Sequence, residues 1–135
     1  SAKDLKLTLN SKDISGSSNY IEMTPKRKIG KTSTFDGDWE LATTGKMSWE
    51  GTIKVVYTEV TDEGADVAYN AFEAGDPVAL TASPKGGSTG DWEFSGDILI
   101  SEAPFKFDGT SEDPVMVEFP FVGTGALTKA AVATT

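Results

Sequence analysis

The chain has 135 residues, 38% hydrophobic and 10% aromatic, which suits one domain with an ordinary core. It has no cysteine and no histidine, which excludes a disulfide framework, a thiolate metal site and the commonest general base. A formal charge of −9 disfavours adhesion to nucleic acid, while leaving nucleic acid open as something to be repelled.

The charge is unevenly spread. Residues 1–31 carry seven bases and three acids, residues 32–90 ten acids and three lysines, and residues 91–118 eight acids against Lys106 alone. No run of about 18 apolar residues exists, so no membrane-spanning helix is expected. Ser1 opens the chain without the charged and apolar regions of a leader peptide.

Leu5, Leu7 and Leu9 alternate with Lys6, Thr8 and Asn10, the period of a strand with one buried face. A turn-rich segment follows, then a short strand around Tyr20–Met23. Residues 24–45 read as a long loop, basic in its first half (Lys26, Arg27, Lys28, Lys31) and acidic and aromatic in its second (Phe35, Asp36, Asp38, Trp39, Glu40). Loops of this length in compact domains are usually functional, so the segment is expected to be an interaction arm. Met47, Trp49, Gly51, Ile53, Val55 and Tyr57 share one parity of the next strand, and Ser48, Glu50, Thr52 and Lys54 share the other.

One helix is expected over about 62–74. Thr61 or Asp62 can cap it, Val67, Ala68, Ala71 and Phe72 make its apolar stripe, and Gly75 and Pro77 stop it. Val78 and Leu80 continue as strand. Then come two long alternating runs separated by the turn 108–114. In the first, Trp92, Phe94, Gly96, Ile98 and Ile100 face one way while Glu93, Ser95 and Asp97 face the other. In the second, Val115, Val117, Phe119 and Phe121 oppose Glu118 and Pro120. The result is a ribbon with an apolar face and an acidic face. Residues 128–135 are small and are expected to form a flexible tail.

Chemistry finds little footing. Without His or Cys only paired carboxylates could act, and the strand acids fall at the regular spacing of a solvated face. Asp36-Gly37-Asp38 and the 108–113 segment lack the spacing of a calcium loop. Gly86-Gly87 is followed by neither Lys-Ser/Thr nor a helix, so it is no phosphate loop. No catalytic residue, cofactor or metal ligand is assigned. Trp49 and Trp92 lie on apolar strand faces and read as core; Trp39, in the arm, reads as an anchor for a partner's pocket.

In its order of features the whole chain resembles the major tail tube protein of long-tailed bacteriophages. The features are an N-terminal strand pair ending near Asn10-Ser11-Lys12-Asp13-Ile14, a long arm, the strand 47–53 (MSWEGTI) and a single helix with Tyr69 and Phe72. An acidic strand pair and a closing 119–127 segment (FPFVGTGAL) complete the order. The resemblance implies a mainly β domain over 1–127, a small sandwich or barrel with one flanking helix. It implies six-copy rings whose inner sheets join into a barrel and stack into a tube that conducts DNA without binding it specifically. Its partners would be itself, the tape measure protein and the terminator or tip proteins, and its place would be the virion tail, after synthesis in the bacterial cytoplasm. Glu50, Glu93, Asp97 and Glu118 are the candidates to face the lumen. Lys26, Arg27, Lys28, Lys31, Phe35 and Trp39 are the candidates for contacts between rings. The competing reading is a non-catalytic binding module, an immunoglobulin-like or carbohydrate-binding sandwich.

Overall fold

The computed structural model describes residues 5–33, 37–107, 109–110 and 115–132. Seven strands form one antiparallel sheet: β1 (Lys6–Leu9), β2 (Lys12–Asp13), β3 (Ser18–Ser33), β4 (Glu40–Val56), β5 (Val78–Ser83), β6 (Trp92–Ile100) and β7 (Met116–Ala131). The spatial order is β2-β1-β5-β6-β7-β4-β3, and one helix, α1 (Gly64–Ala74), joins β4 to β5. No helix among the described residues is long and apolar enough to cross a membrane.

The strand order dictates the shape. β2 and β3 are consecutive in the chain yet lie at opposite ends of the sheet, joined by only residues 14–17. Four residues reach less than about 20 Å, so the sheet must curl until its two ends approach one another. Backbone hydrogen bonds fasten the link on both sides. Ile14 N–H donates to the Leu7 carbonyl at 2.9 Å, and Val56 N–H donates to the Ser17 carbonyl at 2.8 Å. The domain is therefore barrel-like and mainly β with one flanking helix, as the sequence implies, and its walls are parts of one continuous sheet.

The concave side holds the core. Leu7, Leu9, Ile53, Val55, Val78, Leu80, Ile98, Val117 and Phe119 are all buried there, on the apolar parities of their strands. The helix packs across this side against β4 and β6. Its buried stripe is small: Gly64, Ala65, Val67, Ala68 and Ala71. Small side chains let a helix lie close to a sheet, and that moves the ring of Phe72 to the rim, where it is 36% exposed and beside Tyr69. Phe72 is thus not the core anchor that its place in the stripe suggests. The helix also begins later than expected. Glu63 occupies the N-cap, and the Gly64 N–H is satisfied from outside the helix by Ser17 Oγ at 2.8 Å. Gly75 ends it in the left-handed conformation, φ 71°.

Two further expectations are corrected. The segment 24–45 is not a loop: β3 and β4 stay paired from Thr24↔Glu50 to Ser33↔Glu40, with an irregularity between Arg27 and Ile29. No apolar alternation advertises these strands because both faces of the ribbon are in water, Thr24–Thr32 and Glu40–Ser48 being exposed throughout. Pro25 is tolerated because β3 is an edge strand. At the other end, residues 128–131 are strand, paired with 92–95, and the Val132 N–H donates to the Asp91 carbonyl. Backbone pairing to β6 orders this small-residue stretch, which composition does not signal; residues 133–135 lie outside the described residues.

The fold makes a comparative prediction. Phe119 is fully buried, so Phe119→Ala should cost about 3–5 kcal/mol, whereas Phe72→Ala should cost roughly 1 kcal/mol. Urea unfolding of the two variants measures both, and equal losses would contradict this core.

Candidate functional site: two surfaces of one sheet

Trp49 is the joint between the body and the arm. Its ring is 4% exposed and lies across β7 and β6. A Cβ on Gly123 would come within 2.1 Å of the ring, and one on Gly96 within 2.6 Å, so both neighbouring strands are glycine where the indole lies. Phe121 meets the ring edge-on at 5.9 Å, and Trp49 Nε1–H donates to the Gly125 carbonyl at 3.0 Å. Beyond Trp49 the β3–β4 ribbon leaves the body. The six residue-to-residue steps from Arg27 to Ser33 carry it about 20 Å outward.

The arm candidates fall at different places on this ribbon. Lys26 is near its root and pairs with Glu50. Arg27 donates through Nη1 to the Gly45 carbonyl at 3.4 Å, and its Nη2 lies 3.0 Å from Met47 Sδ. Lys28 and Lys31 are exposed farther out, and Phe35 lies outside the described residues. Trp39, near the tip, is 85% exposed. Trp92, expected in the core, is instead 57% exposed with Lys129 Nζ 4.0 Å above its ring. Its parity is apolar, but it is the first residue of β6, at the end of the strand.

The four acids expected on a polar face do share one. The register places Glu50 opposite Val122, Lys54 opposite Glu118, and Asp97 opposite Thr124, all on the parity that points away from the buried residues. Glu93 stands two places along β6 from Ser95 on the same parity and accepts from Ser83 Oγ at 3.4 Å. The face is less uniformly acidic than the sequence suggests. Lys26 pairs with Glu50, and Lys54 pairs with Glu118 at 3.2 Å. Leu99 and Val122, both partly exposed, lie opposite each other between them. Among the described residues no ion pair engages Glu93 or Asp97, so the uncompensated charge is on β6.

Among the described residues, three groups have shifted pKa values. Asp13 is held below the usual carboxylate range by hydrogen bonds from Ser15, first its hydroxyl and then its N–H. The Tyr20 and Tyr57 hydroxyls donate to Glu22 and Glu59, which raises both phenols. All three shifts lead away from neutral pH, opposite to what a general acid or base requires. No cluster of three or more potential metal-ligating side chains exists among the described residues.

No sequence family matches the chain, and no curated protein does. Solved structures do match its fold. A chain from the tail of an empty gene transfer agent particle, refined helically with C6 symmetry, superposes with a TM-score of 0.76 at 14% identity, covering 97% of this chain and 98% of that one. The SPP1 tail tube gives 0.78 at 11% identity over 99% and 80% of the two chains. The tube-terminating cap of the anti-feeding prophage gives 0.78 at 10% identity over 97% and 90%. The chain therefore has the tail tube fold over nearly its full length.

The three indoles make a direct check on this geometry. Acrylamide should quench two tryptophans readily and one poorly, and Trp49→Phe should remove the protected component. Loss of the protected component in Trp92→Phe instead would show that Trp92 is the buried ring.

Proposed function

We propose that the chain is a tail tube subunit: a structural protein that assembles into stacked rings, with six copies per ring, around a channel for DNA. The observation that carries this reading is that 97–99% of this chain superposes on chains from a tail, a tail tube and a tube-terminating cap at TM-scores of 0.76–0.78. The C6 symmetry of one of those tails supports the ring number.

The sheet supplies the physical reason for such a role. Its core side is closed by α1, and its other side is wide, hydrated and net acidic. That side suits the wall of a water-filled bore, with Glu50, Glu93, Asp97 and Glu118 facing the lumen. Fixed negative charge keeps a polyanion from adhering as it slides, over the roughly 8 Å that physiological salt allows. The exposed arm, with Lys28, Lys31 and Trp39, then reaches the next ring. Tape measure and terminator or tip proteins would bind the lumen and the ends of the tube, and the assembly belongs to the virion tail.

The test reverses the uncompensated charge. Glu93→Lys with Asp97→Lys alters a half-exposed and an exposed side chain that no ion pair among the described residues holds, so assembly should proceed nearly as in the parent. DNA release through tubes of the double variant should slow at low ionic strength and recover as salt is raised. Parent-like release at low salt from normally assembled tubes would place this face away from the lumen.

A further inference from the structure

The root of the arm borders a groove of about 570 Å³. Pro25, Met47, Trp49, Phe94 and Leu127 give it an apolar floor, and the charged residues lining it are Lys46 and Lys129. Met47 is 69% exposed there, although its strand parity is that of the core. In a chain with 21 acids and 12 bases, an apolar groove bordered by two lysines and no acid is a specific surface.

The same chain carries its complement. At the arm tip Trp39 projects into solvent between Asp38 and Glu40, with Lys31 beside them. Tip and groove cannot meet within one molecule. The ribbon between them is paired along its length and holds the tip about 20 Å from the root. A large indole flanked by acids and an apolar groove flanked by lysines therefore satisfy each other only between copies.

We propose that the groove receives the arm tip of a second copy of this chain. The Trp39 indole lies against Met47 and Leu127, and Asp38 and Glu40 face Lys46 and Lys129. Because the two patches differ, the contact is heterologous. Each copy keeps a free tip at one end and a free groove at the other, so association propagates instead of stopping at a dimer. The inference rests on the tube-subunit reading and gives its ring-to-ring contact a residue-level form. Exposed indoles that fill apolar pockets are typical of residues that dominate binding, and the flanking charges set register and partner choice.

The experiment measures the protein concentration at which the full chain polymerises, by light scattering and negative-stain microscopy, with circular dichroism to verify folding. Trp39→Ala, at an exposed tip, should stay folded and raise that concentration by at least about tenfold. Asp38→Lys with Glu40→Lys should raise it several-fold, and so should Lys46→Glu with Lys129→Glu. The chain carrying all four reversals should return to within about twofold of the parent, because every contact is then complementary again. Polymerisation of Trp39→Ala at the parental concentration overturns the docking, as does a fourfold variant no better than either pair. In both cases the tube reading survives. A parent chain that stays monomeric at every concentration overturns both.

Discussion

The placement of one indole governs the rest of this structure. Trp49 needs a flat bed on two neighbouring strands, and glycine at positions 96 and 123 supplies it. Its hydrogen bond to the Gly125 carbonyl fixes the ring, and the Phe121 edge closes it from the side. β4 is thereby tied across β7 to β6 at the level beyond which β4 runs exposed. On the body side of that level the sheet curls around an ordinary core. On the far side the same two strands continue as a solvated ribbon. A smaller residue at position 49 would uncouple arm and body, and a side chain at 96 or 123 would displace the ring.

That division explains how one short chain can present three kinds of surface. The concave side near the helix is dry and holds the fold. The opposite side is hydrated, its acids partly compensated by Lys26 and Lys54, so it carries modest charge at little cost to stability. The ribbon and the groove at its root are the parts the domain leaves uncovered. The paired arm also protects the edge of the sheet, since its exposed β3 strand is dense in lysine and arginine and holds Pro25.

The legible parts of the sequence were those where one face of an element is buried. The alternations at 47–57, 92–100 and 115–121 report strands, and their polar parity reports the acid-bearing face. The cap Gly75 reported the end of the helix. The arm reads as a loop because alternation is a signal of burial, and neither face of the ribbon is buried. The last strand residues, 128–131, were missed for the same reason. Trp92 and Phe72 show the complementary error: parity gives the face of an element, but only tertiary packing decides how far along it the cover extends. The groove was illegible altogether, since it joins Pro25 and Met47 to Phe94 and Leu127 across four strands.

The central claim is that the acid-bearing face of this sheet lines the channel of a tube. A helical reconstruction of the assembled chain by electron cryo-microscopy tests it most directly. The account predicts six subunits per ring, with β4, β6 and β7 turned so that Glu50, Glu93, Asp97 and Glu118 border the central channel. Tubes whose channel is lined instead by α1, with those four carboxylates on the outer surface, would contradict it.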